Sequence, residues 1–575
     1  MKPLLKFLKP YKILLVIGPI FKLLEAILEL MLPFLMSKII DVGVAKHDTE
    51  YVIKMGIIML ITAIVGILCA LVCQYSASIV SQGTGTDIRN ALFQHIGTFS
   101  NLEVDQFGTG SLINRITNDV NQVQLAVAML IRLVIRAPFL CIGGMVATFL
   151  IDVNMSFIIL IVIPVFILIL YLTMKMTIPL YRTVQHKLDT ISRALRENLN
   201  GVRVIRAFTR EELEKERFEV HNQEYQANAI RVGRMSALLN PLTSLVMNVA
   251  IGAILWFGGI RVNAGSTTTG EVIAFIGYVG QILISLIIIS NLVIIFTKAF
   301  ASAGRISEVL TTQSEITNPI KAAKPVETPY AVEFDRVYMS YNQGSEYAIK
   351  DITFRVKKGQ TVGIIGGTGS GKSTIINLIP RFYECQKGQI LVNGLEVRDY
   401  DLDVLRNSIG IVPQQTVLFT GTIKENIQWG KQDATIEEIE RAAKNAQAME
   451  FINKLPEGME TKIYRGGVNV SGGQRQRITI ARALVRKPNI LILDDSFSAL
   501  DYATDAALRK ALEQNKGDRT TFLISQRAST IRNADQIIVL SDGEIVGMGT
   551  HEELITECEV YQEICQSQMQ EEVTA

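Results

Sequence analysis

The sequence predicts two domains of different class. An all-helical membrane domain of six spans with long cytoplasmic helix extensions comes first, and an α/β nucleotide-binding domain follows. Three observations carry this reading. Hydrophobic residues make up 49% of the 575 residues and mean hydropathy is +0.28, high for a protein surrounded by water. Before about residue 300 the apolar residues fall in runs of roughly 15 to 25, whereas later runs are short and strand-sized. Finally, Gly366-Gly367-Thr368-Gly369-Ser370-Gly371-Lys372-Ser373 fits G-x-x-x-x-G-K-[ST], the loop that cradles phosphates. The expected boundaries are 1–305 for the membrane domain, 306–330 for a linker and 331–575 for the nucleotide-binding domain.

The apolar stretches lie near 13–36, 53–79, 127–151, 155–177, 237–260 and 271–297, each long enough for the roughly 20 residues that cross a bilayer. Ahead of them, Lys2, Lys6 and Lys9 surround Leu4, Leu5, Phe7 and Leu8, the pattern of a short amphipathic segment on a membrane surface. The N-terminal apolar run is too long for a cleavable signal and lacks a small-residue cleavage site. Basic residues crowd the segment between the fourth and fifth stretches, from Arg182 through Arg234. The joints at 152–154 and 261–270 carry almost none. The positive-inside rule therefore predicts both termini, and with them the nucleotide-binding domain, in the cytoplasm; the expected location is the plasma (inner) membrane, crossed several times.

About 47 residues separate the second and third stretches and about 59 the fourth and fifth. Both segments keep helical periodicity, so the helices are expected to continue beyond the bilayer and reverse at turns near 106–119 and 197–208. Residues 304–330 turn polar, with Pro319, Pro325 and Pro329, as a linker does. From Val332 onward β-rich runs alternate with helical patterns, as in a largely parallel α/β sheet. The net charge of +2 gives no reason to expect a nucleic-acid partner. The six cysteines (69, 73, 141, 385, 558 and 565) form no metal-type pair, and Cys69 and Cys73 read as small buried hydrophobes.

The phosphate loop follows the β-branched run Val362-Gly363-Ile364-Ile365 and precedes Ser373-Thr374-Ile375-Ile376, the strand–loop–helix context that the motif requires. Its glycines let backbone amides close on phosphate oxygens at a helix N-terminus. Lys372 is expected to reach the β- and γ-phosphates of ATP, and the Ser373 hydroxyl to ligate Mg²⁺. The buried strand Ile490-Leu491-Ile492-Leu493 ends in Asp494-Asp495, which places Asp494 to hold Mg²⁺ through water. Between the two lies Val470-Ser471-Gly472-Gly473-Gln474, whose hydroxyl and amides at a helix start make a second anion site.

At this point the chain resembles the ATP-binding cassette (ABC) transporters, whose signature is L-S-G-G-Q. The resemblance covers the whole chain: six spans with long extensions and then one cassette look like an ABC exporter half-transporter. It implies that Tyr341 stacks on adenine, that Gln414 touches Mg²⁺ and senses the membrane domain, and that Asp501, in Ser498-Ala499-Leu500-Asp501, crosses the cassette interface. It implies too that Ser471, Gly472, Gly473 and Gln474 cap an ATP held by the opposite subunit. The two expected turns match the exporters' coupling helices.

Two positions depart from the family pattern. The catalytic Glu after the Mg²⁺-holding Asp is Asp495 here, and the switch His is Gln526, in Leu523-Ile524-Ser525-Gln526-Arg527. Losing one methylene withdraws the carboxylate by more than about 1 Å, a misplacement that can cost on the order of 10²-fold. Gln526 can donate a hydrogen bond but cannot become cationic. With the ATP-holding residues intact, the chain resembles the degenerate-site subunit of heterodimeric bacterial multidrug exporters. That implies a partner half-transporter, a competent site that this chain completes with Ser471–Gln474, and weak hydrolysis at its own. A peptide exporter half and an ATP-gated regulatory or channel-like subunit are the alternatives.

Ionisable groups at membrane depth are functional candidates by default. Glu25 and Glu29 share a helix face with Lys22 in the first apolar stretch, and Arg132 and Arg136 share one in the third. They are expected to line an inner cavity for a small amphiphilic substrate, to bind a cationic one or to form a gate. The alternative is that Lys22 pairs with Glu25 and the arginines snorkel to the surface.

Overall fold

The computed structural model describes residues 2–321, 323, 326–341 and 346–574. Met1 of the expected amphipathic segment and Pro325 of the expected linker lie outside the described residues. The chain divides into two compact units, Met1–Gly97 with Gly110–Thr312, and Thr98–Thr109 with Gln313–Ala575.

The first unit is helical. After α1 (Lys2–Leu5) and a tight turn at Lys6–Tyr11 come α2 (Lys12–Lys38) and α3 (Thr49–Ile96); α4 (Asn101–Phe107) belongs to the second unit. Then follow α5 (Thr109–Asn114), α6 (Val120–Arg132), α7 (Arg136–Ile151), α8 (Val153–Ala207), α9 (Glu211–Ala237), α10 (Leu239–Asn263) and α11 (Thr269–Thr311). With 48, 55 and 43 residues, α3, α8 and α11 are far longer than a membrane needs. At about 1.5 Å per residue they run roughly 72, 82 and 65 Å, against a hydrocarbon core of roughly 30 Å. Their outward faces stay apolar, with Leu60, Ile161 and Val293 more than half exposed, as suits contact with lipid. Phe166, Ile254, Phe275 and Ile282 fill the interior between α8, α10 and α11.

Among the described residues five stretches are long and apolar enough to cross a membrane: Thr49–Ile96, Thr109–Ile151, Val153–Ala207, Glu211–Asn263 and Thr269–Thr311. The expected first span, α2, is not among them. It has the length, at 27 residues, but Lys22, Glu25 and Glu29 interrupt its apolar run. The short joints are tied together by Asp152. It caps α8 by accepting from the amides of Asn154 and Met155, and it also accepts from Arg261 (2.8 Å) and the Thr267 hydroxyl (2.7 Å).

Both expected turns are shifted and meet the observed ones only at one end. The first reversal is earlier than 106–119: Ser100 and Glu103 form a capping box that starts α4 at Asn101, and Gly108 ends it with φ +72°, a conformation glycine adopts without strain. The second is later than 197–208. Helical spacing carries α8 through Gly201 to Ala207, and the chain turns at 208–210, where Thr209 takes φ +52°.

In the second unit a six-stranded sheet carries the chemistry. Its strands lie in the order Glu544–Gly549, Gln536–Ser541, Thr361–Gly366, Thr520–Ile524, Ile490–Asp494 and Ile409–Val412. All neighbours are parallel except the outermost pair Gln536–Ser541 and Glu544–Gly549. Val362, Ile364, Ile492, Phe522 and Ile538 are fully buried, the continuous apolar strands of a sheet covered on both faces. A second, antiparallel sheet pairs Tyr330–Met339 with Ile349–Lys357 and Lys387–Val392. α4 packs in this unit. The Glu103 carboxylate accepts from the Glu315 amide (3.0 Å), and Tyr383 donates to Asp105 (3.1 Å).

Candidate functional site: a phosphate loop and two strand-end carboxylates

Ligands of open α/β sheets bind where the carboxyl ends of parallel strands converge. Register places three such ends together: Ile364 pairs with Ile524, and Ile524 with Asp494. Strand Thr361–Gly366 feeds the phosphate loop there. Gly369 (φ +86°) and Gly371 (φ +95°) take left-handed backbone, and a Cβ on Gly371 would meet Ile349 at 2.7 Å. Only glycine makes that turn into the helix Lys372–Leu378 cheaply.

Lys372 folds back over its own loop. Its ammonium donates to the carbonyls of Gly366 (2.8 Å) and Gly367 (2.6 Å) and lies 3.4 Å from Ser370 Oγ. Burial pushes this ammonium below its ordinary pKa, while the charges of Asp494 and Asp495 pull it back up. The Ser373 hydroxyl donates to Asp494 Oδ2 at 3.3 Å. Burial raises the Asp494 carboxyl; Ser373 opposes the shift, and the neighbouring charge of Asp495 adds to it. A hydroxyl beside a desolvated carboxylate is a hard-oxygen pair that fits Mg²⁺, which completes its shell with phosphate and water oxygens. Among the described residues no group of three or more His, Cys, Asp or Glu could hold a metal ion alone.

Asp495 leaves the strand with φ +46°, uncommon outside glycine, and its amide donates to the carbonyl of Ile524 (2.9 Å). Burial raises its carboxyl as well, against a hydrogen bond from Ser498 and the charges of Arg527 and Lys372. Lys372 thus interacts electrostatically with both aspartates. Gln526 follows the adjacent strand end and its side chain is exposed. Its backbone is held from the C-terminal helix Glu559–Thr574. Gln568 Nε2 donates to the Gln526 carbonyl (2.7 Å), and Gln568 Oε1 accepts from the Ala528 amide (2.8 Å). Sequence reasoning missed Gln568, which sits in a polar stretch without a motif.

Tyr341 is placed beside the loop. Its hydroxyl lies 3.0 Å from Thr374 Oγ1, and its ring stands edge-on to Tyr383 at 5.1 Å between centroids. Gln414 is exposed just past strand Ile409–Val412. Ser471 starts helix Gly472–Val485 through a capping box: its amide donates to Gln474 Oε1 (2.9 Å) and Gln474 N donates to Ser471 Oγ (3.3 Å). Ser471 and Gly472 are exposed, which leaves this anion face open. Asp501 caps the helix Tyr502–Gln514.

Among the membrane charges, Glu29 pairs with Arg136 (2.7 Å) and Glu25 with Lys22 (2.7 Å), and Arg136 lies 4.0 Å from Glu25. Three of the four candidates, Glu25, Glu29 and Arg136, therefore form one cluster with Lys22, and their carboxylates are already compensated. Arg132 stands apart, donating to the Ser78 hydroxyl at 3.3 Å.

Comparison with known proteins agrees with this geometry. The chain matches the ABC transporter transmembrane region over residues 15–287 and the ABC transporter family over residues 349–498. It is 40% identical to the uncharacterized ABC transporter ATP-binding protein YfiB of Bacillus subtilis, over 99% of this chain and 98% of that one. The putative multidrug export ATP-binding/permease protein YgaD of the same organism is 34% identical (96% and 97% covered). The ATP-dependent lipid A-core flippase of Desulfotalea psychrophila is 35% identical (95% of each). A solved bacterial Atm1-family ABC exporter with ATP bound shares the fold with a TM-score of 0.78, 23% identity and 98% of each chain covered. With both regions on one chain, a phosphate loop at the strand ends and relatives matched nearly end to end, this protein belongs to the ABC transporters, as a half-transporter of the exporter type.

Proposed function

We propose that this chain is one half of a heterodimeric exporter that uses ATP to move lipophilic drugs or lipids across the plasma membrane, with its cassette in the cytoplasm. Its own ATP site binds well and hydrolyses slowly, while its signature completes a faster site on the partner. The observation that carries the reading is the pair Asp495 and Gln526 beside intact ATP-holding residues. The substrate class rests on the likeness to a putative multidrug exporter and to a lipid flippase.

In this reading the Lys372 ammonium exchanges the carbonyls of Gly366 and Gly367 for the β- and γ-phosphate oxygens. Tyr341 turns its ring to adenine. Ser373 and Asp494, helped by Gln414, hold Mg²⁺, which when bound neutralises phosphate charge. Asp495 stops one methylene short of the attacking water. Gln526 offers the γ-phosphate a neutral donor, weaker than a cation toward developing charge. Ser471–Gln474 and Asp501 act in trans on the partner's nucleotide.

The test is the ATPase activity of the purified chain. Alone it is expected to bind ATP and turn over poorly, and robust turnover as a homodimer would sink the heterodimer reading. Asp495→Glu with Gln526→His is expected to raise hydrolysis on the order of 10²-fold by restoring reach and charge.

A further inference from the structure

The N-terminal segment roofs a cavity that the transport reading does not use. Leu4, Leu5 and Leu8 face Thr84 and Ile88 of α3, Val123 to Leu130 of α6, and Phe296 to Ala303 of α11, around a volume of about 220 Å³. The walls are aliphatic or aromatic with one buried exception. Thr84 is 2% exposed, and its hydroxyl has no hydrogen-bond partner among the described residues. Helical threonines ordinarily donate to the carbonyl four residues back, as Thr62, Thr173 and Thr297 do here. Thr84, like Thr177, does not, although an unmade buried hydrogen bond is costly.

The cavity is not sealed. Leu5 and Phe300 on its rim are each more than half exposed. The roof is anchored next to it: Tyr11 donates to Asp87 (3.1 Å), and a Cβ on Gly83 would meet the Tyr11 hydroxyl at 2.3 Å. Along the same roof Lys6, Lys9 and Lys12 are exposed. An apolar cavity of ~150 Å³ takes up benzene, so this one has room for a longer hydrocarbon. Tail, acceptor and negative head are the three features that the walls, Thr84 and the lysines complement.

We propose that this cavity binds one acyl chain of an anionic amphiphile, with a carbonyl oxygen accepting from Thr84 and the head among the roof lysines. The chemistry is shared by an anionic phospholipid and a free fatty acid. Occupation would fasten the N-terminal segment to α3, α6 and α11. The site is independent of which cassette hydrolyses ATP.

The experiment uses the full chain in nanodiscs and a phosphatidylglycerol whose palmitoyl chain carries a diazirine. Saturable photolabelling is expected on peptides spanning 84–88, 123–130 and 296–303. Ala126→Phe, which fills the cavity, is expected to lower it by about tenfold. Thr84→Val, which keeps the shape and removes the hydroxyl, is expected to lower it by about fivefold. Thr84→Val carries the test should Ala126→Phe fail to fold. Displacement by unlabelled phosphatidylglycerol assigns the site to phospholipid, and displacement by palmitate alone assigns it to fatty acid; either supports the proposal. Labelling that either folded variant leaves unchanged, or that is spread evenly over the apolar helices, overturns it.

Discussion

The two anion-binding faces of the cassette differ in a way that bears on what each is for. The phosphate loop is closed on itself: Lys372 occupies the carbonyls of Gly366 and Gly367, and Ser373 is bonded to Asp494. The signature face is open, with Ser471 and Gly472 exposed and Ser471 and Gln474 tied to each other as a helix cap. The departures from the family pattern, Asp495 and Gln526, sit on the closed side alone. A site can hold its ligand through loop and lysine and still lack the groups that move a proton. In the proposed function the open side needs no acid or base of its own, because there it supplies only donors to a nucleotide held by the partner.

The sharpest way to break that contrast is to damage each face in turn within the proposed heterodimer. Ser471→Arg fills the signature face with a long side chain and is expected to lower heterodimer ATPase on the order of 10²- to 10³-fold, the cost of losing preorganised anion donors. Lys372→Ala is expected to weaken ATP binding at this chain's own site and to lower turnover far less. Steady-state ATPase with nucleotide binding measures both. Equal loss from the two variants would mean that the faces are equivalent and the degenerate-site reading is wrong.

A smaller effect sharpens the closed side. Gln568 bridges the Gln526 carbonyl and the Ala528 amide, so the C-terminal helix fixes the backbone of the segment proposed as the switch. Gln568→Ala removes two hydrogen bonds worth about 1 kcal/mol each, so amide exchange over 525–530 is expected to quicken by about 30-fold. Exchange in strand Thr520–Ile524 should stay unchanged. If exchange over 525–530 does not move, the clamp has no hold on the switch.

Much of this was legible in the sequence. The phosphate loop, the strand ending in Asp494 and the Ser-Gly-Gly-Gln turn are short, their chemistry fixes their spacing, and the structure puts the first two at strand ends with a single strand between them. Other features need the folded chain. Gln568 lies 42 residues from Gln526, and nothing in a polar helix marks which amide faces a loop. Arg136 and Glu29 pair across 107 residues, so charge on one helix face offered the Lys22–Glu25 pair as an alternative but did not reveal that Glu29 was taken. The second reversal was misplaced because helical spacing runs through Gly201, whose conformational freedom goes unused. The first had a readable signal that was passed over: Ser100 with Glu103 three residues on is a capping box, and it starts α4 where the structure does.

The smallest expected effects concern the hold on α4. Burial alone would raise the Glu103 carboxyl, but bonds from Ser100 and from the Glu315 amide together bring it below its ordinary value of 4.5. A depressed folded value means that Glu103 stabilises the docked helix above the unfolded pKa, and that this contribution fades as pH falls through the folded one. Exchange protection of α4 is therefore expected to drop below about pH 4.5 in the native chain and to be flat with pH there in Glu103→Gln. Tyr383→Phe tests the second tie, the hydrogen bond to Asp105. Burial and that carboxylate both raise the Tyr383 hydroxyl above its ordinary value, so it stays protonated and donating throughout this pH range. Removing it costs about 1 kcal/mol, a roughly fivefold faster exchange confined to Asn101–Phe107 at every pH. Two ties that add in the double variant act independently on one docked helix, whereas a double variant no worse than Glu103→Gln alone would make the carboxylate the sole anchor.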